Sequence, residues 1–235
     1  ILPIEGEPIL ETLEYPADRL FVYLMVNGEK SDFVKTLAQK GYPLIEITIQ
    51  DPYQLAMEFY RWEYATAVAC AVLKVNAFDQ PNVQLSKTIT KDVIKQYQEK
   101  GRLEDGTPLW ENEDIAVYGD PVPGLDEVDN LSEILKAYGK TVQENGFIAL
   151  NAFVARLSKN EELLQGLRTN LLNYYNKATT LGFGPRFLHS TGQLHKGGQD
   201  GGLFITFTRD SDVDFDIPGE GMSFATLQRA QALGD

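Results

Sequence analysis

Residues 65–73, Ala-Thr-Ala-Val-Ala-Cys-Ala-Val-Leu, carry no charge and nothing that breaks a helix. They lie downstream of Asp51-Pro52, an N-cap residue followed by a first-turn proline, so the spacing predicts one long helix from residue 52 to about Val75. A helix that is apolar all round does not belong on a surface facing water, and this run is far too short to span a bilayer. The expectation is therefore a helix in the middle of a domain, enclosed by other elements.

The flanking sequence supplies candidates. Residues 19–26 (RLFVYLMV) read as a buried strand ended by the turn Asn27-Gly28, and residues 44–49 (LIEITI) as a second strand. Between them, residues 31–39 read as a helix capped by Ser31 and closed near Gly41. Strand, helix and strand in so short a stretch predict a right-handed parallel crossover.

Further on, Pro81 starts a helix that reaches Lys100 before Gly101, and residues 102–130 are rich in loops, with one strand at 115–118. A helix is expected at 128–138, a buried strand at 146–153, and an amphipathic helix at 160–179 with Leu163, Leu164, Leu167, Leu171 and Tyr174 on its apolar face. A strand at 203–208 and a helix beginning at 223 close the series. No linker or low-complexity tract interrupts residues 1–235, so the reading is a single layered α/β domain.

Composition narrows the partners. With 43% hydrophobic and 23% charged residues, the chain matches a soluble globular protein. A net charge of −13 without a basic cluster excludes a nucleic-acid partner. The lone Cys70 forbids an intrachain disulfide and reads as a small buried hydrophobe. The start Ile1-Leu2-Pro3-Ile4-Glu5 has no signal-peptide pattern, and without an initiator methionine it is expected to lie inside a longer gene product. No membrane is expected, and a cytoplasmic location is.

Two segments could carry chemistry. In the helix after Pro81, Val83, Thr90, Ile94 and Tyr97 form one buried stripe, and Lys87 falls on it. A lysine there either snorkels outward or points its ammonium into a polar cleft. Asp79 and Gln80 stand at the helix start, where capping explains the first better than the second. The second segment, residues 184–198, holds both histidines of the chain, His189 and His195, beside Arg186, Lys196, Ser190 and Thr191. Histidine trades protons near neutral pH, but a hydrogen-bonded structural histidine beside a glycine-rich turn fits the composition equally.

Other patterns fail. The alternating Asp210, Asp212, Asp214 and Asp216 lack the glycine and glutamate of a calcium loop and read as a solvated edge. The two histidines, without carboxylate partners, match no zinc motif.

The stretch from Asp51-Pro52-Tyr53 through Asn76-Ala77-Phe78-Asp79-Gln80-Pro81-Asn82-Val83 to Lys87 resembles the C-terminal part of glucose-6-phosphate isomerases. The segment Leu188-His189-Ser190-Thr191-Gly192-Gln193 is similar to that family's histidine segment, most of all to the isomerase half of bifunctional transaldolase/glucose-6-phosphate isomerases. The resemblance implies a three-layer α/β/α sandwich of the sugar-isomerase (SIS) type with a mostly parallel sheet. It implies interconversion of glucose 6-phosphate and fructose 6-phosphate with no metal and no cofactor. His189 would transfer protons in ring opening, Lys87 would assist it, and Gln80, Ser190 and Thr191 would bind the hexose phosphate.

Two departures accompany it. Single-function isomerases carry the histidine segment before the lysine segment, whereas here His189 follows Lys87. A faint echo of residues 44–75 in residues 203–233 suggests a duplicated half that brings the histidine into the same chain. The family's glutamate base, its arginine and its phosphate loop have no counterpart, so half an active site is expected here. The partners implied are the missing N-terminal isomerase half and a transaldolase domain. The competing readings are a non-catalytic sugar-phosphate-binding SIS module and a scaffold lobe that packs on a transaldolase.

Overall fold

In the computed structural model, which describes residues 4, 6–10, 14–125, 128–198, 200–211 and 213–235, the first strand β1 is Phe21–Val26. Helix α1, Asp32–Gln39, begins where the Ser31 side chain accepts from the Val34 N–H, and the chain leaves it through Gly41 at φ 80°. Strand β2, Leu44–Ile49, pairs parallel with β1, as the crossover pattern predicts. The Asp51 carboxylate accepts from the Tyr53 N–H, a 3-10 turn spans Pro52–Gln54, and α2 runs over Leu55–Leu73. These elements belong to one of two compact units, Ile9–Asp79; the other comprises Ile1–Pro8 and Gln80–Asp235.

The first unit packs Met25, Val34, Leu37, Ile47 and Ile49 into its interior. Tyr15, Phe21 and Tyr42 meet edge to face beside them, and Tyr42 Oη accepts from the Tyr15 N–H at 2.8 Å. The enclosure expected for α2 is absent. Only Glu58 of its residues is buried, while Phe59, Tyr60, Trp62, Tyr64, Val68 and Val72 are exposed. The β1–β2 sheet is likewise open: neither strand has a second neighbour among the described residues, and Val22, Leu24, Val26 and Ile45 remain exposed. Parallel sheets are ordinarily covered on both faces, so this unit carries the sequence of an interior but lacks part of its cover.

In the other unit, Pro81 occupies the first turn of α3, Pro81–Lys100, which ends at Gly101 in the left-handed region. A short antiparallel ribbon follows, β3 (Trp110–Glu111) with β4 (Ala116–Val117). Helix α4, Leu131–Gly139, is capped by Asn130, whose side chain accepts from the Glu133 N–H. Strand β5, Phe147–Phe153, is buried along almost its whole length because it is the middle of a three-stranded parallel sheet.

The helix expected at 160–179 stops early. Helix α5 is Ser158–Tyr175, Asn176 turns the chain at φ 50°, and β6, Ala178–Phe183, takes the remainder. Ala-Thr-Thr-Leu-Gly-Phe is a strand sequence, and the helical period through Leu171 and Tyr174 masks its start. The buried face of α5 is also rotated from the expected one. Arg168, Leu171 and Leu172 are buried, whereas Leu163 and Tyr174 are more than 60% exposed. Arg168 is fully enclosed and donates from Nε and Nη2 to the Thr179 carbonyl, which ties α5 to β6.

Helix α6 (Gly192–Gly197), strand β7 (Leu203–Thr208) and helix α7 (Phe224–Gly234) complete the chain, and the sheet order is β6-β5-β7. Ile148 and Leu150 pack with Leu171 of α5 and with Leu203 and Ile205 on one face. Strand alternation turns Phe147, Phe153, Phe204 and Thr208 to the other face. There they meet the segment that carries α6, and α7 through Arg229. This is a mixed α/β fold with short, mostly parallel sheets and, in this unit, helices on both faces of the sheet.

Candidate functional site

Lys87 sits where the stripe predicts. Val83 and Ser86 are buried, and Lys87, Thr90, Ile94 and Tyr97 are half-buried along the same side of α3. Helix α3 packs against α7 and α6. At Gly234 of α7, a Cβ would lie 2.2 Å from Thr90 Oγ1 and 2.8 Å from the Thr90 N, so the helices approach to backbone distance there. Lys87 itself makes no hydrogen bond or ion pair among the described residues. Gln80 is the exposed N-cap position of α3, and its side chain does not cap the helix.

The histidine segment reaches α3 directly. After β6 the chain crosses the cis Gly184–Pro185 bond into a 3-10 turn, Arg186–His189, and then into α6. The two motif segments join through a reciprocal amide clamp. Asn82 N donates to Gln193 Oε1 at 3.0 Å, and Gln193 Nε2 donates to Asn82 Oδ1 at 2.7 Å. Gly197 stands over this clamp, where a Cβ would meet Gln193 Nε2 at 2.6 Å and Asn82 Oδ1 at 2.7 Å. Gln80, Lys87 and the whole histidine segment thus share one unit, on elements that touch.

The two histidines differ in surroundings. His189 is exposed at the end of the 3-10 turn, followed by exposed Ser190 and half-buried Thr191. Ser190 Oγ donates to the Phe187 carbonyl at 3.2 Å, and the Thr191 carbonyl accepts from the His195 N–H at 2.8 Å. His195 is packed among the rings of Phe147, Phe187 and Phe204, 5.3–6.1 Å between centroids. Neither of its ring nitrogens has a hydrogen-bond partner. Burial, followed by the neighbouring Lys196 charge, pushes its pKa down to about 4 against the opposing pull of Asp235, so this imidazole is neutral at pH 7. Lys196 Nζ pairs with Asp235 Oδ1 at 2.7 Å.

A polar cleft not read from the sequence opens at the carboxyl ends of β5 and β7, lined by Tyr97, Asp105, Thr208, Arg209, Ser211 and Arg229. Arg229 donates to Asp105 Oδ1 from Nε at 3.1 Å and to Thr208 Oγ1 from Nη1. Carboxyl ends of parallel strands are where open α/β sheets hold ligands, and that rule was the available signal. Of the four alternating aspartates, Asp210 lines this cleft and Asp212 lies outside the described residues. Asp214 is exposed, as expected of a solvated edge, and it also accepts from the Phe215 N–H and from the Ala225 N–H in the first turn of α7. Hydrogen bonds from Ser223, Ala225 and Phe215 hold its carboxyl below the usual range. No group of three or more His, Cys, Asp or Glu among the described residues is placed to hold a metal ion.

Among the described residues, no helix is long and apolar enough to cross a membrane. No family model, curated protein or solved structure matches the chain.

Proposed function

We infer that this chain is the lysine- and histidine-bearing part of an aldose–ketose isomerase of the SIS type, acting on glucose 6-phosphate and fructose 6-phosphate. One observation carries the reading beyond the motifs: the Asn82–Gln193 clamp ties the lysine segment to the histidine segment. Two stretches far apart in sequence, each resembling the same enzyme family, are held together by side chains that belong to the motifs themselves.

In this reading the exposed His189 protonates the ring oxygen and accepts the O1 proton as the sugar opens. The Lys87 ammonium stabilises developing negative charge on the sugar oxygens, and Gln80, Ser190 and Thr191 hydrogen-bond its hydroxyls. The proton that moves between C2 and C1 through the cis-enediol needs a carboxylate base, supplied by the missing isomerase half. His195, enclosed by phenylalanines and neutral, positions α6 and does not touch the sugar.

Chain combined with the missing half, or expressed within the full-length gene, is expected to interconvert the two hexose phosphates. Lys87→Ala and His189→Ala should each lower kcat by roughly 100-fold or more. Full activity in both variants would reject the assignment. The exposed apolar surface of α2 favours a second reading, a lobe that packs on a transaldolase domain and turns nothing over. That reading predicts no effect of either substitution on isomerisation.

A further inference from the structure

We propose that the cleft at the carboxyl ends of β5 and β7 is a second binding site, which takes the phosphate or carboxylate of a small metabolite on Arg229. The chain leaves these two neighbouring strands in opposite directions. Helix α5, which follows β5, packs Leu171 on the face of Ile148, Leu150, Leu203 and Ile205. Helix α7, which follows β7, lies on the opposite face, where Arg229 donates to Thr208. A crevice opens where neighbouring strands part in this way, and such switch points are where open α/β sheets hold ligands. Phe153 and Thr208, the last residues of the two strands, both line this one, and its volume of about 370 Å³ suits a small molecule.

The side chains select an anion. Two guanidiniums, Arg209 and Arg229, line the cleft with two carboxylates, Asp105 and Asp210, and the hydroxyls of Thr208 and Ser211. Arg229 is already closed on an oxyanion. Its Nε donates to Asp105 Oδ1 at 3.1 Å and its Nη2 lies 2.9 Å from the same oxygen, while Nη1 donates to Thr208 Oγ1. The planar guanidinium fork is the side-chain group whose geometry matches carboxylate and phosphate oxygens. Asp105 therefore stands in for the ligand's anion, and Thr208 fixes the direction of the fork.

The stand-in is easily displaced. Asp105 belongs to the exposed loop between α3 and β3, and an ion pair so open to water contributes little. Once Asp105 turns away, two arginines face one carboxylate, so the cleft is locally positive in a chain of net charge −13. Tyr97, at the edge of the cleft, stands about 15 Å further along α3 than Lys87. The site is therefore separate from the Lys87 and His189 region and independent of the isomerase reading.

Inorganic phosphate and acetate, each titrated into the whole chain at constant ionic strength, test this by nitrogen-15 NMR. The Arg229 Nε–H and the backbone amides of residues 208–211 should shift and saturate with at least one of them. A response to phosphate assigns a phosphorylated ligand, and a response to acetate alone a carboxylated one. Asp105→Asn, a change in an exposed loop, frees Arg229 and should tighten the binding by about two- to fivefold. Arg229→Gln should abolish it with an unchanged far-ultraviolet circular dichroism spectrum. Shifts that saturate with neither anion overturn the proposal. So does saturable binding that survives Arg229→Gln, or binding that Asp105→Asn leaves unchanged or weaker. If Arg229→Gln does not fold, Asp105→Asn alone decides.

Discussion

His195 shows how a residue chosen for its chemistry can be placed for its shape. Among a chain's side chains a histidine ordinarily signals proton transfer, but three phenylalanine rings surround this one and both nitrogens lack partners. Its pKa of about 4 lies below the unfolded value of about 6.5, so the unfolded chain binds this proton more readily than the folded one. Stability from this residue is therefore constant above pH 6.5 and declines as the pH falls from 6.5 towards 4. The urea midpoint should drop over that window, and His195→Leu should reduce the drop; an unchanged pH dependence in the variant would show that the ring is not the cause. The sequence could not separate His195 from His189. Both lie in one polar, glycine-rich segment, and the rings that enclose His195 come from β5, β7 and the 3-10 turn.

At the level of elements, the clamp between α3 and α6 is the joint on which the candidate site depends. Removing one partner of a paired, half-buried amide leaves the other unsatisfied, so Gln193→Ala should cost about 1–2 kcal/mol of stability. Asn82→Ala should cost a similar amount. The double variant should lose less than the sum of the two, by about 1 kcal/mol, in chemical denaturation; strict additivity would mean that the side-chain bond from Gln193 Nε2 to Asn82 Oδ1 contributes nothing. Gly234→Ala is expected to cost about 1–3 kcal/mol, since its Cβ would press on the Thr90 backbone of α3.

Most elements were legible in the sequence because each announces itself locally: Ser31 as a cap, Pro81 at a first turn, Gly101 at a helix end, and β1, β2, β5 and β7 as short apolar runs, whereas the helix expected from residue 128 begins only at Leu131, after the cap Asn130. Strand β6 was hidden because the leucine period of α5 runs up to it without a glycine or proline between. The cleft around Arg229 was hidden for another reason. Asp105, Thr208 and Arg229 come from a loop, a strand end and a helix, and no spacing in the chain links them.

At the scale of the molecule, the apolar run at residues 65–73 predicts a helix enclosed on every side, and α2 is instead open along most of its length. Sequence pattern reports what a segment needs around it, not whether the same chain provides it. The β1–β2 sheet carries the same message, with an exposed face of Val22, Leu24, Val26 and Ile45. Because this unit lacks the cover its residues require, Val68→Glu should change its unfolding midpoint little in dilute solution, while the same substitution in the enclosed core, such as Ile148→Glu, should abolish folding.

The isomerase reading rests on Lys87 and His189 serving one sugar. The decisive measurement is the rate of glucose 6-phosphate to fructose 6-phosphate interconversion by the chain joined to the isomerase half that this reading requires, with and without Lys87→Ala and His189→Ala. Turnover should fall by roughly 100-fold or more in each variant. Turnover that both variants leave untouched would contradict it.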